Sequence, residues 1–455
     1  MKIAVIGGGG VRSMFLAKSL AQAAARLKID ELRFMDNNPE KLSIYGKMAR
    51  KVAALNAPEL KFTLTADAEE AVSGVDYVIT TIRAGGDEMR VRDERAALDE
   101  GVIGQETVGA AGFSFAMRSV PQLTKYCEAV RKYAKEGAKV FNFTNPAGLV
   151  AQALRDAGYD FTFGICDAPS GMLREFGKLY GVTPDRVSGE MYGLNHCSFF
   201  RNVYVDGRDV MKELAVSDEA YAKTDLRYFD KATVAEAEAL PNEYLYYYYY
   251  PERAYANIVA GSETRGELIA RVNKAMTEAL ERIDVEKEFD EALRIYGRYY
   301  GERERMYMAN ETGISRGIPW SFDPMSCDDG GYAGVALRYI DIVESGNPGT
   351  MILCVPAEGA VPFAEDGDVV EITALVTKDA VIPHRFENIP EVNMRLLQAV
   401  KEYERRAARA ILTGSREEAV KALKCNPLVA SDTISRKLAN TYIEYNKEFV
   451  GVWED

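Results

Sequence analysis

The chain has two histidines, His196 and His384, so chemistry that needs an imidazole has few places to occur. Cys166 ends the apolar run FTFGI and is followed at once by Asp167, and His196 lies further along in GLNHCSFF. A thiolate and a carboxylate with an imidazole added form a soft-to-borderline site for a divalent cation, leaving coordination positions open for substrate oxygens. A Cys–His nucleophile pair is the competing chemistry, and two packed, chemically idle core residues are the third reading. The run PNEYLYYYYYP at 241–251 is a second concentration of one residue type. Most of its rings suit amphipathic packing with the hydroxyls at the wet edge. One tyrosine beside a cation could lose its proton well below the usual value of about 10 and act as a base. Arg83 and Arg90, in IRAGGDEMR, and Arg265, in SETRGE, are either solvated surface charges or donors to an anion.

The glycine run Gly7, Gly8, Gly9, Gly10 follows the apolar segment KIAVI and precedes a stretch from Val11 to about Arg26 with apolar residues at helical spacing. Strand, bare turn and helix N-terminus in that order allow a pyrophosphate to approach backbone amides. The match to G-x-G-x-x-G is imperfect, because Arg12 or Ser13 occupies the third glycine position. Asp36 closes a second strand, LRFMD, where dinucleotide folds place the acid that binds the adenosine ribose. Further strands are expected at 61–65, 76–82, 138–143 and 161–165 with helices between most of them, which predicts an α/β, Rossmann-like, doubly wound parallel sheet. In such sheets ligands collect at the carboxyl ends of the strands, where Gly7–Gly10, Asp36, Arg83, Asn142–Asn145, Cys166 and Asp167 all fall. Beyond about residue 170 the pattern becomes mixed. FFRNVYVDG reads as a strand, long amphipathic helices occupy 265–300, and 351–382 is β-rich. The expected division is residues 1–170 as a dinucleotide-binding domain and 171–455 as a mixed α+β lobe for catalysis and oligomerisation.

The 455 residues are 47% hydrophobic and 27% charged, an ordinary globular balance with ample length for sizeable cores. A net charge of −13 opposes general binding to nucleic acid or anionic lipid, so an anionic ligand requires a local basic pocket. MKIAVIGGGG lacks the apolar core of a signal peptide, no window is long enough to span a membrane, and six cysteines without a Cys-x-x-Cys pair suit free thiols. The expected compartment is the cytoplasm.

Several segments in order resemble glycoside hydrolase family 4, the NAD- and metal-dependent glycosidases: AVIGGGG, the DNN after strand two, GVIGQETVGAAGF at 101–113, NFTNPAG at 142–148, CDAP at 166–169, GLNH at 193–196, LPNEYLYYYYYP at 240–251 and TRGE at 264–267. The resemblance implies a fold like lactate and malate dehydrogenases overall and a bound NAD on Gly7–Gly10 and Asp36. It makes Cys166 and His196 ligands of manganese or another divalent metal, Asp167 the general acid and Tyr244 the base at sugar C2. Asn145 would contact substrate hydroxyls, with Arg83, Arg90 and Arg265 in the substrate pocket. The implied chemistry oxidises C3, removes the C2 proton, eliminates the aglycone from C1, adds water and returns the hydride, so NAD is not consumed. Homodimers or homotetramers are implied too.

Within the family the residues after the metal-binding cysteine track the substrate, and CDAP is a hybrid. Asp167 resembles the phospho-α-glucosidases, whereas NFTNPAG and GVIGQET resemble the phospho-β-glucosidases. The expectation is hydrolysis of 6-phospho-β-glucosides, small molecules met after phosphorylating uptake. The alternatives are a 6-phospho-α-glucosidase or an α-galactosidase or α-galacturonidase of the same family. Outside it stand a 2-hydroxy-acid dehydrogenase of the lactate or malate type and a non-catalytic NAD-binding sensor.

Overall fold

The computed structural model describes residues 1–317, 320–327 and 333–453. The chain forms two compact units, each assembled from three segments. The first comprises Met1–Arg92, Pro121–Thr144 and Ala256–Asp341, and the second Asp93–Val120, Asn145–Tyr255 and Ile342–Asp455. The units interleave along the sequence, whereas the sequence reading placed one boundary at 170. The chain leaves the first unit after Arg92 and returns to it twice, at Pro121 and at Ala256.

The first unit is built on β1 (Lys2–Ile6), β2 (Glu31–Met35), β3 (Lys61–Thr65), β4 (Tyr77–Thr80) and β5 (Lys139–Asn142), parallel and in the order β5-β4-β1-β2-β3. These are the short apolar runs of the sequence; Ile3 to Ile6 are wholly buried, as strands covered on both faces must be. The strand order reverses at β1, and Ile6 is level with both Met35 and Thr80. The loops after β1, β2 and β4 therefore leave the sheet side by side at a topological switch point, the usual ligand crevice of such sheets.

The helices Arg265–Leu280 and Phe289–Arg305 belong to this unit, although the sequence reading assigned them to the later lobe. The cause is an apolar surface that local periodicity cannot assign to a partner. Met276, Tyr296 and Tyr300 share one buried cluster with Met14, Tyr45 and Met48, and the Tyr296 hydroxyl donates to the Val11 carbonyl at 2.7 Å.

In the second unit β6 (Thr162–Gly164), β7 (Val187–Leu194), β8 (Cys197–Val205), β9 (Arg208–Asp209), β10 (Leu240–Pro241), β11 (Gly349–Pro356), β12 (Val369–Val376) and β13 (Val381–Pro383) form two arrays. One runs β13-β12-β11-β6 with antiparallel neighbours, and the other is the β7–β8 hairpin with β10 and β9 on β8. The parallel pattern expected from the sequence thus describes β1–β5, and a mixed α+β part accompanies it.

Gly7 fixes the turn after β1. Its φ is +100°, a Cβ there would lie 2.6 Å from the Thr81 carbonyl oxygen, and the Gly7 and Gly8 amides both donate to the Met35 carbonyl, at 2.8 and 2.7 Å. Gly7→Ala is expected to lower stability by more than about 1 kcal/mol, read as an earlier midpoint in urea unfolding, because alanine meets both an unfavourable φ and a backbone clash.

Candidate functional site

Leu194 pairs with Cys197 across the β7–β8 hairpin, which leaves Asn195 and His196 as a two-residue turn. His196 has φ of 63°, a left-handed conformation uncommon outside glycine and one that must be held by its surroundings. Its Nε2 lies 3.7 Å from the Sγ of Cys166, which follows β6. The Tyr244 ring stacks on the imidazole with centroids 3.8 Å apart and planes 8° from parallel. Tyr244 is placed by its own turn. The Asn242 side chain accepts from the Tyr244 amide at 3.0 Å, and the Asn242 amide donates to the Ser198 carbonyl on β8 at 2.9 Å. Cys166, His196 and Tyr244, far apart in sequence, are therefore one cluster.

Asp167 precedes the helix Ala168–Tyr180 at its N-terminus, next in chain to Cys166. Asn145 precedes the helix Ala147–Asp156, through a cis peptide to Pro146. The glycine of that NPAG segment has a packing reason: a Cβ on Gly148 would come within 3.1 Å of the Asn195 Cβ and 2.8 Å of Glu404 Oε1. Only a bare backbone lets this segment approach the His196 turn so closely.

Burial pushes the His196 imidazole down to about 3, offset in part by Glu106, so the ring is neutral at ordinary pH. Its tautomer is fixed by a chain of bonds that the sequence reading did not assign. The Gln105 Oε1 accepts from the backbone amides of Thr107 and Val108, at 2.6 and 2.8 Å, and also from the Thr107 hydroxyl at 2.8 Å. With its one proton committed to Gln105, the Thr107 oxygen is left to accept from His196 Nδ1, 2.9 Å away. The Nε2 lone pair then faces Cys166. Burial, with Glu371 and then Asp167 nearby, raises the Cys166 thiol well above its usual value. Gln105 and Thr107 lie in the GVIGQETVGAAGF segment, whose peculiarity was visible in the sequence although its role was not.

A divalent cation at ordinary bond lengths of about 2.1 Å to imidazole nitrogen and about 2.3 Å to a thiolate holds its two donors roughly 3 to 4 Å apart. The Cys166–His196 separation fits that range, and a neutral imidazole backed by a hydrogen-bond acceptor is the usual form of a ligating histidine. Among the described residues no group of three or more His, Cys, Asp or Glu side chains could hold a metal, and Cys166 and His196 are the two residues that would hold a cation here.

The glycine loop, Asp36 and the three arginines lie in the first unit. Gly9 donates to Asp36 Oδ2 at 3.0 Å, and a Cβ on Gly9 would strike that carboxylate. The helix Ser13–Leu27 begins without a side-chain cap, and the buried Ser13 hydroxyl has no hydrogen-bond partner among the described residues. An unsatisfied hydroxyl at a helix start and a loop stripped of side chains fit the pyrophosphate of a dinucleotide.

Arg83 lies 3.9 Å from Asp87, whose other oxygen accepts from Asn273 at 2.6 Å. Arg303 donates to that same Asn273 at 2.7 Å, and Arg265 donates to the Arg303 carbonyl at 3.0 Å. Arg265 has its guanidinium pKa lowered by burial and then by repulsion from Arg90 and Arg303, with Glu311 and Glu304 offsetting part of this. The structure thus brings Arg83, Arg90 and Arg265 together and adds Arg303, whose buried Nε has no partner among the described residues. No sequence motif singled out Arg303; its role arises only where its helix meets that of Arg265.

Residues 2–182 match the model for family 4 glycosyl hydrolases, and residues 191–429 match that for the family's C-terminal domain. A maltose-6'-phosphate glucosidase from Clostridium acetobutylicum is 25% identical over 98% of this chain and 98% of its own length. The solved structure of the 6-phospho-β-glucosidase from Thermotoga maritima, with manganese, NAD+ and glucose-6-phosphate, is 27% identical with a TM-score of 0.81, covering 99% of this chain and all of that one. A lactate dehydrogenase from a deep-sea metagenome library, 12% identical with a TM-score of 0.52 over 90% of this chain and 98% of its own, shares the fold alone. With family matches running from β1 to near the end of the chain on both sides of the Cys166–His196 pair, the protein belongs to the family 4 glycosyl hydrolases.

Proposed function

We propose that this glycosidase hydrolyses 6-phospho-β-glucosides, using NAD+ and a divalent cation, manganese by preference. The observation that carries the reading is the stack of Tyr244 on a His196 ring whose Nε2 faces Cys166 Sγ. It brings a phenol beside the site of a cation, where a phenolate is stabilised and can take a carbon-bound proton. When bound, NAD+ supplies oxidation at sugar C3 and its reversal, and the cation supplies Lewis acidity at the C2 and C3 oxygens. Cys166 and His196 hold the cation, with Thr107 keeping the imidazole in the ligating tautomer. Tyr244 removes the C2 proton, Asp167 protonates the departing oxygen at C1, and Asn145 orients the sugar hydroxyls. Gly7, Gly8, Gly9, Gly10 and Asp36 hold the dinucleotide. Arg90 and Arg265, with Arg83 and Arg303 beside them, take the C6 phosphate, whose negative charge relieves their mutual repulsion. The enzyme works in the cytoplasm, where imported sugars arrive phosphorylated, as a homodimer or homotetramer.

The named relatives support a phosphorylated sugar and divide on the anomer: the Thermotoga enzyme is a β-glucosidase, and the Clostridium enzyme acts on maltose-6'-phosphate. Asp167 beside Cys166 favours the α reading, and the expectation of β rests on the NFTNPAG and GVIGQET segments. A panel of nitrophenyl α- and β-glucosides, with and without a 6-phosphate, assayed with NAD+, Mn2+ and thiol, tests this. Fastest turnover is expected with the phosphorylated β-glucoside and no net NADH; a faster α-linked substrate reverses the anomer alone.

Tyr244→Phe is expected to lower kcat by roughly 10²-fold or more, as for loss of a positioned general base, while KM changes little. Turnover of the wild type in D2O should place deuterium at C2 of the released sugar, read by NMR; product carrying only hydrogen there excludes elimination. Thr107→Val, which keeps the shape and deletes the acceptor for Nδ1, is expected to weaken Mn2+ binding roughly 10- to 100-fold, measured from the electron paramagnetic resonance signal of free Mn2+.

A further inference from the structure

Glu371 is a buried carboxylate, 2% exposed, with no part in the chemistry above. It lies on β12, and its two oxygens are both spent on the His196 turn. Oε1 accepts from the Asn195 side-chain amide at 3.1 Å and Oε2 from the Ser198 hydroxyl at 2.8 Å, so the bonds fall on either side of His196 in the chain. Cys354 on β11 also reaches Oε1, at 3.9 Å.

Strand alternation places Thr373 on the same face of β12 as Glu371. Thr373 is bonded to the hairpin as well, accepting from the Met191 amide at 2.8 Å and donating to the Gly189 carbonyl at 3.2 Å. The two residues nevertheless hold different things. Thr373 fastens β7 where its register with β8 shifts between Glu190 and Met191, whereas Glu371 spans the turn in which His196 adopts φ of 63°. A left-handed histidine persists only where its neighbours over-determine it, and a buried carboxylate is expensive unless its lone pairs are used. Each oddity accounts for the other.

We propose that Glu371 is a positioning residue of the cation site, clamping Asn195 and Ser198 so that His196 keeps its left-handed backbone with Nε2 towards Cys166. This rests on the reading of Cys166 and His196 as the cation ligands. Gln105 and Thr107 settle which nitrogen carries the proton; Glu371 settles where the ring stands.

The test compares full-length Glu371→Gln with Thr373→Val, which removes hydrogen bonds from the same strand face without touching the turn. Mn2+ affinity is read from the free-ion resonance signal, NAD+ affinity by calorimetry and stability by urea unfolding. Glu371→Gln should raise the Kd for Mn2+ tenfold or more and leave that for NAD+ within twofold, while Thr373→Val loses stability and keeps its Mn2+ affinity. Ser198→Ala, the milder lesion, should weaken Mn2+ at least threefold and decides the matter if Glu371→Gln yields no folded protein. Unchanged Mn2+ binding in folded Glu371→Gln, or equal loss in Thr373→Val, overturns the clamp. A wild-type protein that binds no Mn2+ removes the cation reading itself, a result separate from the variant comparison.

Discussion

The candidate site keeps a neutral imidazole and a thiol 3.7 Å apart in an interior that disfavours the charged form of both. Neither group could hold that geometry from its own strand. Cys166 is carried at the end of β6, one layer of the second unit, and His196 at the tip of a hairpin in another. The hydrogen bonds that unite them come from further segments: Thr107 before a long helix, Asn242 before the tyrosine run and Glu371 on β12. Removing water from this cluster makes each such bond directional and each unmade one costly, so the site is specified by the fold around it as much as by its own residues.

The first unit meets a different constraint. Around Asp87 it gathers several guanidinium groups whose like charges oppose one another. Burial works against ionising Asp87, but Arg83, the Asn273 amide, Arg303 and Arg90 together hold its carboxyl below the usual range. A molecule carrying a net charge of −13 thus maintains a local concentration of positive charge offset by neighbouring carboxylates, Asp87 among them. An anion approaching this molecule would be attracted by that small region and not by the overall field.

The strands of the first unit were legible because their information is local. KIAVI and KFTLT match β1 and β3 residue for residue, the expected segments 76–82 and 138–143 enclose β4 and β5 with three and two extra residues, and 161–165 likewise encloses β6 of the second unit with two. The carboxyl-end rule placed Gly7–Gly10, Asp36, Cys166 and Asp167 correctly at strand ends. Partners joined across long stretches of chain were not legible. Thr107 is 89 residues from His196, and Glu371 is 173 from Ser198, and no spacing pattern connects residues that only a finished fold brings together. The same holds for the helices Arg265–Leu280 and Phe289–Arg305, whose amphipathic faces announce that they are covered without saying by what.

The backbone at His196 sets stability against function at a single position. A left-handed turn residue is most comfortably glycine or asparagine, and His196 occupies it as neither. Replacement by either would relax the hairpin while removing the imidazole that faces Cys166. Stability of the hairpin alone would therefore be served by a residue without a ring, and the turn keeps its imidazole against that local preference.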